Sequence, residues 1–272
     1  MQTLNETTVL PTNGRHSSEG ELEEMFKAGA HFGYSRSSRN PKMKRFLFGL
    51  RNNVEVFDLD KTKKKLDEAK EFAKNLGKEG KPILFVGTKP EIKDLLKKYA
   101  NEADMPYVTE RWLGGTLTNF GEIKKRRDYM EDLMSKRDSG ELEKYTKKER
   151  LQISRKIARL MQYFSGLEKL RTLPSALVAV DTRKESIAVE EAKKTRIPVI
   201  GIMNSDCDPD DAAYPIPAND NSVSSVEYFL RAIVEAYKNG LKERAIEAEK
   251  EEEKKKKETE EENGKREKEE SI

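Results

Sequence analysis

Among 272 residues there is one cysteine, Cys207, and there are only two histidines, His16 and His31. A single thiol closes no internal disulfide, so a disulfide-built scaffold is excluded, and with it a metal site of several cysteines. Two histidines leave little for imidazole catalysis or a multi-histidine metal centre. Long apolar runs are missing too. The longest, such as Ala176-Leu177-Val178-Ala179-Val180, are strand-sized, far below the roughly 18 residues of a spanning helix. Residues 1–18 carry Thr, Asn, Ser and Pro without a basic start or an apolar stretch, so no secretory signal is expected. The expectation is a cytoplasmic protein with no membrane association.

What the chain has in abundance is charge. Charged residues make up 38% of it, against roughly 25% in an ordinary soluble domain. The total nearly cancels, with 53 Lys and Arg against 50 Asp and Glu, but the placement is uneven. From Leu241 to Ile272 there are 10 basic and 13 acidic residues and only five apolar ones, which leaves the other 240 residues at a net +6. Lys27 to Val54 holds seven basic residues and no acidic one. With Gly, Ser, Asn and Pro throughout, that stretch reads as largely loop. Phe32, Tyr34, Phe46 and Phe48 are interleaved with its cations, which suits a polyanion: cations for phosphates, flat rings for bases or sugars. Phe46 and Phe48 could equally form one face of a short strand.

Hydrophobic patterning organises the rest. Ser18-x-x-Glu21 is a capping box opening a short helix, and Asn53–Asp58 alternates like a strand. Asp60 is placed to cap a helix through Leu66, Ala69, Phe72, Ala73 and Leu76, with Gly77 to stop it. Apolar runs at 81–87, 105–108, 176–181 and 198–202 alternate with helical stretches at 90–100, 187–194 and 223–237. Such uniformly apolar strands, alternating with helices, specify a doubly wound parallel α/β sheet. From Asn119 to Thr172 the strand signal vanishes. Ile153, Ile157, Leu160, Phe164 and Leu167 keep a heptad spacing, and Phe120, Ile123, Met130 and Met134 a weaker one with Arg127 in the seam. An antiparallel coiled-coil hairpin is expected there, turning at 137–140. The expected organisation is a disordered leader at 1–17, an α/β body at 18–118 and 173–240, a hairpin insertion at 119–172, and a largely disordered tail at 241–272.

Chemistry-bearing motifs are few. Phe85-Val-Gly-Thr-Lys89 follows a strand where phosphate loops live, yet it lacks the Gly-x-x-x-x-Gly-Lys-Ser/Thr pattern, and there is no Gly-x-Gly-x-x-Gly. His31 reads as a hydrogen-bonded histidine near a turn. Asp206, Asp208, Asp210 and Asp211 cluster around Cys207, without the glycine and terminal glutamate of a calcium loop; a divalent ion or an Asp-rich turn are both open. The loop Arg111-Trp-Leu-Gly-Gly-Thr-Leu-Thr-Asn119 has the only Trp, two glycines that allow close backbone approach, and polar side chains. The helix after it begins with Lys124, Lys125, Arg126 and Arg127, suited to an RNA backbone.

Several segments in order resemble one family, the bacterial small-subunit ribosomal protein S-two family. They are Leu22-Glu-Glu-Met-Phe-Lys-Ala-Gly-Ala-His-Phe-Gly33, Asn40-Pro-Lys-Met43, Phe57-Asp-Leu-Asp-Lys-Thr62, Phe85-Val-Gly-Thr-Lys89, Arg111–Asn119, Val180-Asp181 with Lys184-Glu185, Ile197-Pro-Val199 and Tyr214-Pro-Ile-Pro-Ala-Asn-Asp220. The resemblance spans about Glu21 to Tyr237. Tyr34 stands where a histidine is expected, Ser175 where an aspartate often follows the proline, and Cys207 where Asn or Asp is usual; a histidine-based metal site at 31 and 34 is correspondingly disfavoured.

The resemblance implies a flavodoxin-like fold with a helical hairpin, no catalysis, no cofactor and no small-molecule substrate. It implies a place on small-subunit (16S) rRNA between head and body, among other small-subunit proteins, and recruitment of ribosomal protein S-one. Candidate RNA contacts are Arg36, Arg39, Lys42, Lys44 and Arg45 in the first basic stretch. In the second they are Arg111, Trp112, Asn119, Lys124, Lys125, Arg126 and Arg127. No metal ligand is assigned. Two rivals remain open: a doubly wound nucleotide- or sugar-phosphate enzyme using Thr88, Asp181 and Asn204, and an interaction module whose hairpin is the working part.

Overall fold

The computed structural model describes residues 15–269, with side chains described over 20–249. Most of the leader, 1–14, lies outside the described residues. Helix α1 (Arg15–Lys27) starts ahead of Ser18, which stands inside it; the Ser18 side chain, and with it the expected capping box, lies outside the described ones. Strands β1 (Phe32–Ser35), β2 (Leu47–Arg51) and β3 (Val54–Phe57) then form a small antiparallel sheet in the order β1-β3-β2. The acid-free stretch is therefore two strands joined by short 3-10 turns, where the sequence suggested loop. Phe46 and Phe48 do not share a face: Phe46 is buried at the end of a 3-10 turn, and Phe48 is 83% exposed on β2.

Helix α2 (Leu59–Glu79) is capped by Asp58, whose carboxylate accepts from the N–H of Asp60 and Lys61, and not by Asp60. It runs past Gly77 and stops at Gly80, whose positive φ of 66° closes the helix. Then come β4 (Ile83–Val86), α3 (Lys93–Glu102) and β5 (Tyr107–Val108). Helices α4 (Phe120–Asp138) and α5 (Lys147–Phe164) follow, then β6 (Ala176–Val180), α6 (Ser186–Lys194), β7 (Val199–Met203), β8 (Tyr214–Pro217) and α7 (Val223–Glu269). The main sheet is parallel, with strand order β5-β4-β6-β7-β8. Its order reverses between β4 and β6, the place where doubly wound folds hold their ligands. Strand β8 has no apolar run to announce it, because Pro215 and Pro217 interrupt it. An edge strand tolerates prolines, since one side of it donates to no neighbour.

Two apolar layers cover the sheet. One is formed by α1, α2, α3 and α7 through residues such as Met25, Leu66, Leu96, Phe229 and Ile233. The other gathers Met43, Phe46, Trp112, Leu117, Ile123, Phe164, Ala188 and Met203. In the hairpin, Tyr129 on α4 meets Lys156 on α5 through a 2.8 Å hydrogen bond, while Arg127 reaches Leu170 beyond α5. Earlier residues of α4 thus meet later ones downstream, so the two helices run antiparallel. Thr146 and Glu149 form a reciprocal capping box at the start of α5.

Helix α7 continues past 241, to Glu269. Its first turns beyond the body are tied down, since Glu243 pairs with Lys74 at 2.5 Å and Lys78 at 2.8 Å.

Candidate nucleic-acid interface

The two basic regions come to the same face of the sheet. Met43 and Phe46 from the first, and Trp112, Leu117 and Ile123 from the second, share one apolar layer. Around those anchors the cations divide into those the chain satisfies itself and those it leaves open.

In the first region three of the five candidates are engaged internally. Arg39 donates to the buried carboxylate of Glu55 at 3.0 Å. Lys42 lies 2.8 Å from Asp208 and 2.9 Å from Asp210, and Arg45 lies 3.0 Å from Asp210. Bonding to Lys42 holds both aspartates below the usual carboxylate range, and Lys42 is held above its own. The rest of the acidic cluster is neutralised the same way: Arg183 pairs with Asp206 and Lys193 with Asp211. The four carboxylates that suggested an ion loop are partners for basic side chains. Among the described residues, no group of His, Cys, Asp and Glu is arranged to hold a metal ion. Cys207 is buried, and burial first, then the neighbouring Asp181 and Asp206, push its thiol up to about 12. Arg36 and Lys44 remain exposed beside Phe48, lining a groove of about 240 Å³.

The second region is held by a residue that no sequence motif singles out. Glu191 on α6 lies beneath the loop 111–119. Its Oε1 accepts from the Trp112 indole N–H at 3.1 Å and the Gly115 N–H at 2.7 Å. Its Oε2 accepts from the N–H of Leu117 at 3.0 Å, and from the N–H and hydroxyl of Thr118, both at 3.1 Å. Burial works against the carboxylate, but these donors outweigh it and leave its pKa below the ordinary value. Trp112 is therefore an inward anchor, not an exposed ring for a base. Arg127 is likewise corrected. It is 2% exposed and donates to the Leu170 carbonyl at 2.5 Å and to Asp128 at 2.7 Å, so it ties the hairpin to the body. Lys125 pairs with Glu122 at 2.6 Å. Arg111, Asn119, Lys124 and Arg126 stay exposed. The one signal for Glu191 in the sequence is its position on the stripe of α6 that carries the buried Ala188 and Ala192.

The crevice at the strand ends is filled from within. Lys89, just after β4, places its ammonium 2.8 Å from Asp181 and 2.9 Å from Asp220, and donates to Asn221 at 2.8 Å. Asn204 donates to Asp220 at 2.7 Å, and the Thr88 hydroxyl to Glu185 at 2.5 Å. Burial opposes the Lys89 charge, yet the Asp220 and Asp181 carboxylates outweigh it and raise its pKa. Burial and Asp181 push Asp220 up to about 6 against the pull of Lys89. Thr88, Asp181 and Asn204, the residues a phosphate-binding enzyme would use, are thus bonded to other side chains of the chain. His31 is stacked on Phe26 at 4.3 Å, and burial lowers its pKa.

The body is thus a doubly wound α/β domain whose crevice at the strand ends is occupied by its own charges, with exposed cations on two loops of one face. The family model described as Ribosomal protein S2 matches residues 25–240. Over 223 residues the chain is 41% identical to a small ribosomal subunit protein uS2 of Coprothermobacter proteolyticus, covering 82% of this chain and 83% of that protein. The chain belongs to the ribosomal protein S2 family of the small subunit, and it is not an enzyme. No helix among the described residues is long and apolar enough to cross a membrane.

Proposed function

We propose that the α/β body, 18–118 with 173–240, binds small-subunit rRNA between head and body of the subunit, chiefly through phosphate and sugar contacts, and that it supports recruitment of ribosomal protein S-one. The observation that carries the RNA part is that five of the candidate cations are exposed with no internal ion pair among the described residues: Arg36 and Lys44 in one region, Arg111, Lys124 and Arg126 in the other. A cation already matched by an internal carboxylate has less to gain from a phosphate, so Lys42, Arg45 and Arg39 act mainly by shaping the first loop.

The test is co-sedimentation with small subunits. Replacing Lys44, Arg111, Lys124 and Arg126 with glutamate should abolish it at moderate salt. Single Ala variants should each reduce the salt dependence by roughly 0.7–0.9 of a unit of slope. Unchanged co-sedimentation of the quadruple variant sinks the reading.

For S-one, the supporting feature is an apolar groove of about 720 Å³ on the small sheet, lined by Phe26, His31, Phe32, Phe48 and Leu50. Phe26, Phe32, Phe48 and Leu50 are each about half or more exposed, and exposed apolar clusters of this kind mark protein contacts. Subunits carrying Phe32→Ser with Phe48→Ser should keep this protein and lose S-one in a gradient. Full S-one occupancy would exclude the groove.

A further inference from the structure

We infer that Glu191 is the positioning residue of the RNA-facing loop 111–119: its carboxylate fills an anion nest formed by the loop's own donors, and so sets where Arg111 and the first cations of α4 stand. The inference rests on the RNA reading above.

Three observations carry it. First, both carboxylate oxygens are used, accepting three backbone N–H bonds, one indole N–H and one hydroxyl between 2.7 and 3.1 Å. Successive N–H groups converging on one point form a concavity for an anion, of the kind that elsewhere receives phosphate. Second, among the described residues no Lys or Arg forms an ion pair with Glu191, so its charge is balanced by the loop alone. Third, the loop can close around it only because Gly115 takes a positive φ of 93°, which other residues rarely adopt. The loop then passes directly into α4 at Phe120, with the Asn119 side chain making no cap bond of its own. A groove of about 290 Å³ runs beside this junction, lined by Leu113, Gly114, Gly115, Asn119 and Arg126.

The physical consequence is that α6, which carries no candidate RNA contact, controls the interface from behind. In Glu191→Gln one acceptor oxygen becomes an NH2 group facing N–H donors, so about half the nest is lost while the side-chain volume is kept. Glu191→Asp keeps the charge but draws it back by one methylene.

The test is a binding cycle with the full chain and small subunits stripped of this protein. Glu191→Gln should weaken binding about tenfold at 0.1 M salt and lower the salt slope by roughly one to two units, as the loss of one or two phosphate contacts requires. Glu191→Asp should recover part of it. Placed on an Arg111→Ala/Arg126→Ala background, Glu191→Gln should add nothing. On an Arg36→Ala/Lys44→Ala background, it should keep its full effect. Glu191→Gln that folds and binds normally overturns the inference, and so does additivity on both backgrounds. If Arg111→Ala/Arg126→Ala itself binds normally, it is the RNA reading of this loop that fails. Arg111→Ala/Arg126→Ala that binds weakly beside a normal Glu191→Gln separates the two failures.

Discussion

Lys89→Met is expected to destabilise the fold by roughly 3–5 kcal/mol, the cost of leaving buried charges without their partner, and to lower Tm by roughly 6–20 °C for a chain of this size. Methionine matches the length of the lysine stem, so the loss is electrostatic and leaves little cavity. The two carboxylates left behind, Asp181 and Asp220, are 9% and 0% exposed, and Asn204 remains as the neutral donor to Asp220. The sign with pH follows from Asp220. Its folded pKa is already raised to about 6 by burial and Asp181, against the pull of Lys89, and removing Lys89 raises it further. A carboxyl raised on folding costs stability as pH rises through its folded value, so the deficit should be largest above pH 6 and shrink toward pH 4 as the carboxyl binds a proton. Asp220→Asn in the Lys89→Met background should return part of the loss, which a double-mutant cycle by chemical denaturation measures. A Lys89→Met protein as stable as its parent across that range would show that the crevice is wetter than its geometry indicates. The ion pair joins the ends of β4 and β6 to the loop after β8, so its loss should loosen the sheet's carboxyl end as a unit.

The parallel sheet is legible in the sequence because buried strands announce themselves as unbroken apolar runs, as in Ile83–Val86 and Ala176–Val180. Strand β8 is not, because its prolines erase that signal, and only the neighbouring β7 makes an edge strand of Tyr214–Pro217. The cations of the interface are legible as an acid-free stretch and a basic helix start. Their division into open and satisfied groups is not. Lys42 meets Asp208 across 166 positions of sequence, and Trp112 meets Glu191 across 79. Charge counts assign every lysine the same weight, whereas a tertiary contact decides which ones still lack a counter-charge. Arg127 carries a partial warning. An arginine in an apolar seam must find acceptors there or leave it, and it finds Leu170 and Asp128. The start of the tail is held in a similar way by contacts that spacing does not show, since Glu243 on α7 pairs with Lys74 and Lys78 of α2.

Sequence pattern makes Gly77 a helix stop and Gly240 part of a body–tail boundary, but the two face each other where α2 and α7 touch backbone to backbone, and Gly240→Val is expected to cost roughly 3 kcal/mol, the upper end for overpacking a core. A Cβ on Gly240 would run into the Lys74 carbonyl oxygen, with the Lys78 nitrogen at 2.9 Å and the Gly77 Cα at 3.0 Å. A Cβ on Gly77 would meet the Tyr237 carbonyl in the same way, with the Gly240 Cα at 3.1 Å. All these neighbours are backbone, so no side chain can swing aside, and α2 and α7 must separate. Helix propensity pulls the other way: replacing glycine by alanine inside a helix gains up to about 1 kcal/mol. The clash should win at Gly240 and have nothing to act on at Gly20, which lies in α1 with no atom within 4 Å of an added methyl. The same Gly→Ala change should therefore stabilise at 20 and destabilise at 240, with valine worse than alanine at 240. Separation at 240 also pulls Glu243 away from Lys74 and Lys78, so amide exchange in α7 beyond 240 should accelerate more than in β6 or β7. Equal and favourable shifts for Gly20→Ala and Gly240→Ala would mean that the two helices do not touch, and that α7 leaves the body before it reaches Gly77.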